Sequence, residues 1–147
     1  MKKAIGLFLL TINILLMSCA NANQIKKGDM LFKITFAQGF SNDTLSLCLN
    51  SCRIVYNRIL SSDNTSDGIT DLQISVFKKN DSFSAKIFQG KEISCQADIR
   101  ETIKIEIVLN GSSQSFTIDT KQGAYLSIEK NGNDLSLRQT KEQVLYD

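Results

Sequence analysis

Apolar residues recur along much of the chain with a period of two. Phe32, Ile34 and Phe36 alternate with Lys33 and Thr35, and Leu45, Leu47 and Leu49 alternate with Ser46 and Cys48. Leu72, Ile74 and Val76 are interleaved with Gln73 and Ser75, and Phe83, Ala85 and Ile87 with Ser84 and Lys86. The clearest run is Ile103, Ile105, Ile107 and Leu109; shorter ones pair Phe116 with Ile118, Leu126 with Ile128 and Leu135 with Leu137. Successive side chains of a strand point to opposite faces, so this alternation predicts half-buried β-strands.

Turn residues separate the runs: Ser41-Asn42-Asp43, Asn50-Ser51, Lys79-Asn80-Asp81, Asn110-Gly111 and Asn131-Gly132. Asn-Gly between alternating segments is a strong hairpin signal, because both central residues of a type I′ turn need positive φ. Two such turns predict an antiparallel meander from about Thr102 to Gln139. Strand after strand, with no amphipathic helix of convincing length, predicts an all-β fold: an antiparallel β-sandwich, Ig-like or jelly-roll-like, of about 7–9 strands. A small β-barrel is the alternative, since periodicity does not separate the two. Ser61–Gly68 is the longest polar stretch and reads as a loop. The chain has no proline, so its edge strands need protection by charge or covering loops.

The first residues follow another pattern. Lys2 and Lys3 precede an apolar run from Ala4 to Met17, and small residues follow, the three parts of a secretory signal peptide over residues 1–22. The run falls short of the roughly 20 residues that cross a bilayer. Leu16-Met17-Ser18-Cys19 resembles the bacterial lipobox, with Met17 where a small or β-branched residue is usual; that resemblance implies lipidation of Cys19. Ala20-Asn21-Ala22 offers the competing A-x-A cut, which discards Cys19. The expectation is therefore an exported chain, either a membrane-anchored lipoprotein or a soluble periplasmic or secreted protein. A polar tether over 23–29 then leads into a single domain over 30–147.

Charge narrows the partners. Either cut removes two of the 17 basic residues and none of the 15 acidic ones, leaving 15 of each sign. A neutral chain without a basic run has no electrostatic basis for binding nucleic acid.

Candidate chemistry is sparse. Without histidine, the commonest general base and metal ligand is missing, and Ser-His-Asp or Cys-His catalysis is excluded as ordinarily built. No Gly-rich phosphate loop or dinucleotide fingerprint occurs. Carboxylate pairs such as Asp67 with Asp71, or Glu101 with Glu106, read as a solvated face. The oxygen-rich run Asp63-Asn64-Thr65-Ser66-Asp67 lacks a calcium loop's spacing and closing Glu. These features assign no catalytic residue, no metal and no cofactor. Four Asn-x-Ser/Thr sequons, at Asn42, Asn64, Asn80 and Asn110, read as accidents of composition.

The cysteines say more. Cys48 and Cys52 flank what reads as a three-residue hairpin loop, which would bring their β-carbons near disulfide distance. A Cys48–Cys52 clip is thus the expected pairing, with Cys95 a free thiol, or pairing with one of the others instead. Three thiols leave one unpaired within a monomer.

The stretch Phe36-Ala37-Gln38-Gly39-Phe40-Ser41-Asn42-Asp43-Thr44-Leu45-Ser46-Leu47, followed by a turn at Asn50-Ser51, resembles small uncharacterised bacterial exported or lipoprotein β-sandwich proteins. Gly123-Ala124-Tyr125-Leu126 resembles their closing Gly-Tyr-Leu-like strand. The resemblance implies a β-sandwich and no known activity. Within it Gly39 turns the chain, Phe40 enters the core and Asp43 bonds nearby backbone N–H groups. The functional expectation is a non-enzymatic cell-envelope module that binds a protein or glycan partner through loops. Ser61, Asp63, Asn64 and Asp67 are the candidate binding-loop residues. The alternatives are a periplasmic inhibitor of a hydrolase such as lysozyme, a carboxylate-only enzyme and a fibre subunit.

Overall fold

The computed structural model describes residues 30–62, 67–80, 82–96 and 101–145. The signal and tether expected at 1–29, and Cys19 with them, lie outside these residues, as do Asp63 and Asn64. Ten strands form: β1 (Met30–Phe36), β2 (Asp43–Leu49), β3 (Cys52–Leu60), β4 (Gln73–Lys79), β5 (Ser82–Ile87), β6 (Glu92–Cys95), β7 (Thr102–Leu109), β8 (Ser112–Asp119), β9 (Tyr125–Asn131) and β10 (Asp134–Thr140). They make a six-stranded sheet ordered β10-β9-β1-β4-β5-β6 and a four-stranded sheet ordered β3-β2-β7-β8. This is a β-sandwich rather than a closed barrel.

Each alternating run supplies one buried row. Phe32, Ile34 and Phe36, Ile74 and Val76, Phe83 and Ala85, and Leu126 and Ile128 point inward from the large sheet. Leu45, Leu47 and Leu49, and Ile103, Ile105 and Ile107, meet them from the small one. Burying about 25 cal/mol per Å² of apolar surface is the main favourable term of such a core. Phe36 and Phe40 meet edge to face, with ring centroids 5.8 Å apart.

Two strands escape the alternation rule. β3 carries two bulges, where its pairing with β2 slips between Leu45 and Leu47 and again between Leu47 and Cys48. A bulge puts two residues opposite one, so Ile54 and Val55 are both buried and the period is lost. Asn57 sits at φ 47° in the bulge opposite Leu45–Leu47, its N–H donating to Ser46 Oγ at 2.9 Å. β6 is only four residues long, too short to show a period. Both are edge strands, and bulging and brevity are two ways of discouraging edge-to-edge pairing.

The expected C-terminal meander does not form. Asn110-Gly111 (φ 49° and 87°) closes the β7–β8 hairpin as a type I′ turn, as its sequence implies. Asn131 instead pairs with Asp134 inside the second hairpin, and Gly132 (φ 60°) comes first in the turn, the type II′ position. These hairpins belong to different sheets, because the chain crosses the sandwich between β8 and β9. Alternation marks which side chains face inward but not which sheet receives them. The crossing also makes β9 run parallel to β1, the one parallel pair among the described residues.

The motif at the β1–β2 connection acts structurally. At Gly39 (φ 92°) an added β-carbon would run into the Lys130 carbonyl, so glycine is needed for both backbone sign and space. Phe40 is fully buried. Asp43 accepts from Ser41 N–H at 2.9 Å, from Asn110 Nδ2 at 2.6 Å and from Lys130 Nζ at 2.8 Å. It thereby ties the start of β2 to the end of β9 across the two sheets. Burial pushes the Asp43 carboxyl up, but the hydrogen bonds from Lys130, Ser41 and Asn110 outweigh it and hold the group below its ordinary value.

Candidate functional site

The cysteine pairing differs from the expectation. Cys52 is bonded to Cys95, with α-carbons 6.0 Å apart, and Cys48 is the free thiol. The reason is register. Asn50 (φ 44°) and Ser51 (φ 67°) form a two-residue turn, so Cys52 pairs with Leu49 while Cys48 pairs with Arg53. Cys52 therefore shares the inward face of buried Leu49, and Cys48 points the other way, since a one-residue step changes face. Cys95 is buried at the end of β6, opposite the start of β3, so the bond staples one edge of the large sheet to one edge of the small.

The expected binding loop is seen only at its feet. Ser62 donates from both its N–H and its Oγ to the Phe40 carbonyl, at 2.8 and 3.1 Å, which pins the loop's first end to the core. Ser61 is half-buried beside it. Asp67 is exposed and turns back on its own backbone, accepting the Ile69 N–H at 3.2 Å. Three of the four carboxylates considered for catalysis are taken up in ion pairs. Asp71 pairs with Arg58 at 2.7 Å, Glu106 with Lys104 at 2.6 Å, and Glu101 with Lys121. Among the described residues, no three His, Cys, Asp or Glu side chains cluster as a metal site would require.

The structure draws attention instead to the outer face of the six-stranded sheet. A concavity of about 630 Å³ opens there, within the range typical of small-molecule sites. Its floor is β4, whose outward residues Gln73, Ser75 and Phe77 lie in line along the strand. One wall is β1, through Met30 and Lys33; the other is Lys86 of β5 with the turn Phe88-Gln89-Gly90. The walls follow from register: Met30 lies opposite Phe77, and Ser75 lies between Lys33 and Lys86 in one cross-strand row. Gln89 (φ 55°) helps reverse the chain after β5, and the Phe88 N–H donates to the Gln73 carbonyl at 2.8 Å, which sets the aromatic ring at the rim. Phe88 remains 56% exposed.

The residues that line the groove carry charge of one sign. No aspartate or glutamate lines it, and among the described residues neither Lys33 nor Lys86 is in an ion pair. Glu92 pairs with Lys86 across the β5–β6 ladder, yet its carboxylate takes the Lys79 ammonium at 2.8 Å. Hydrogen bonds from Lys79 and then Ser84 hold Glu92 below its ordinary value, helped by attraction to the Lys79 and Lys86 ammoniums, so Lys86 already has one carboxylate for a neighbour.

Sequence reasoning passed over this groove, although a signal existed. Phe77 follows Gln73 and Ser75 in the outward phase of β4, and Phe88 follows Ser84 and Lys86 in the outward phase of β5. An aromatic on the polar phase of two neighbouring strands marks a face that is not merely solvated. No protein-family model, curated protein or solved structure matches this chain, so these residues stand on their geometry and chemistry.

Proposed function

We propose that the chain is an exported, non-enzymatic binding module whose working surface is the groove on the outer face of the six-stranded sheet. The observation that carries this reading is the placement of Met30, Phe77 and Phe88 around a roughly 630 Å³ concavity on a face that water would otherwise cover. Apolar side chains in a concave site, with a few polar groups among them, are the usual make-up of a small-ligand site. The signal-like N-terminus and the lipobox resemblance at Cys19 support delivery to the cell envelope, tethered or free. On this reading the 61–68 loop is a connection rather than the binding element.

An uncharged, polarity-sensitive dye tests the groove. The folded protein should enhance and blue-shift its emission. Phe88→Ser should reduce that binding several-fold without shifting the thermal midpoint, because Phe88 is a surface residue. Full dye binding in both Phe88→Ser and Phe77→Ser would reject the groove as the binding surface.

A further inference from the structure

We infer that the occupant of this groove is a single-chain amphiphile with an anionic head, a long-chain carboxylate in the simplest case. The inference rests on the groove being the binding surface and adds the identity of what it holds. Three observations lead to it.

The first is shape. The floor is a single strand with walls on both sides, so the site is a channel along β4 rather than a bowl. Gln73 and Phe77 are four residues apart, which at about 3.4 Å per residue gives a floor of about 14 Å. Ser75 and its two lysines lie halfway along it, with Met30 and Phe77 at one end and Phe88 at the other, so an extended chain with its head over Ser75 would lay its first methylenes against one of these ends and run on past the floor. Half-buried Lys33 can line the trough with its methylene stem while its ammonium stays in water.

The second is charge. Lys33 and Lys86 face each other across Ser75, and no carboxylate lines the channel. Two cations flank the floor with a hydroxyl between them, and the carboxylate next in that row, Glu92 beside Lys86, is bonded to Lys79, so the set carries a net positive charge that an anion would meet. A neutral lipid would leave both ammoniums unused. An anionic head would take charge-assisted hydrogen bonds from them, the stronger kind.

The third is position. β1 begins at Met30, which itself lines the channel, so the chain enters the domain at the mouth of the groove. Ten residues separate Cys19 from Met30. Eleven steps of no more than about 3.6 Å each would hold the groove within roughly 40 Å of a membrane that anchors Cys19. An amphiphile leaving or entering that membrane is the ligand such a placement serves.

The test uses three probes of equal chain length, a hexadecyl carboxylate, alcohol and trimethylammonium, each titrated below its micelle concentration by displacement of the neutral dye. The protein is used as recovered from export and stripped of bound lipid. The carboxylate should bind about tenfold or more tighter than the alcohol, and the ammonium compound most weakly. The double substitution Lys33→Met and Lys86→Met keeps the wall stems and should bring the carboxylate down to the alcohol's affinity. Phe88→Ser should weaken carboxylate and alcohol alike. Equal binding of all three probes would overturn the anionic head while leaving the groove intact. Dye binding with no displacement by any probe would overturn the amphiphile altogether. Failure of the dye itself would remove the groove reading and this inference together.

Discussion

The two long edges of the sandwich are closed by different chemistry. Where β6 lies over β3, the closure is covalent: Cys95 to Cys52, across 43 residues of chain. Where β10 lies over β8, it is made by two glutamines. Gln114 on β8 accepts the Leu135 N–H and donates to the Asn133 carbonyl, both at 3.0 Å. Gln139 on β10 donates to the carbonyls of Asp119 and Gly123 at 2.7 and 2.8 Å. Beside this second edge, the Asp43–Lys130 pair joins β2 to β9. A short strand such as β6 buries little and gains from a bond that holds regardless of area. The β9–β10 hairpin has a full ladder and needs only orientation. The staple also stands at the edge next to β5, whose Lys86 and following turn form one wall of the groove, so it steadies the site as well as the fold.

If this division is right, the two edges should respond very differently to substitution. Replacing Cys52 and Cys95 together by alanine should have the largest effect. Loop-closure entropy for a 43-residue separation corresponds to about 4 kcal/mol. Denaturant unfolding with and without reductant would read it, and Cys48→Ser should give the wild-type curve within about 0.5 kcal/mol. A double variant as stable as the parent would mean that the covalent edge contributes no more than the polar one.

The next effect should come from Asp43→Ala, which leaves the Lys130 ammonium almost buried without its partner. A loss of about 3 kcal/mol is expected for breaking such a pair. The pair also sets an acid limb. The folded Asp43 carboxyl is held below its unfolded value, so its stabilisation is fully present above about pH 4 and is lost as pH falls through the folded value. Midpoints measured from pH 6 down to pH 2 should fall less steeply in Asp43→Asn than in the parent. Parallel curves would show that Asp43 is not the group responsible.

Gln139→Ala should be the mildest. Two hydrogen bonds to carbonyls are lost where water can replace them in part, at about 1 kcal/mol. Hydrogen exchange should then rise in β10 and the 120–124 crossing while β5 and β6 keep their protection. Faster exchange on both edges would show that the closures are coupled rather than independent.

The groove and the core were unequally legible in the residues. Ile103, Ile105 and Ile107 announce a strand and its buried face without any structure, and the Gly39–Asp43 motif announced a tight structural turn. β3 did not announce itself, because its two bulges put Ile54 beside Val55 and erase the period. Phe77 and Phe88 stood in the polar phase of their runs, and the turn residues at 79–81 made β4 and β5 neighbours, but nothing local says that β1 lies beyond β4. The groove needs all three. Cys48 and Cys52 differ by one residue of turn length, and that one residue decides which thiol faces the sheet interface.

By itself, then, the amino-acid sequence determined the all-β class, most of the strands, their inward residues and the hairpin at Asn110-Gly111. Each of those follows from side-chain alternation or from the φ sign of a few turn residues, which are local. Only the tertiary structure decided the assignment of strands to two sheets, the parallel pairing of β1 with β9, the Cys52–Cys95 staple and the lysine-rimmed groove. Those depend on which distant segments become neighbours, and that choice is made by the packing of the whole core.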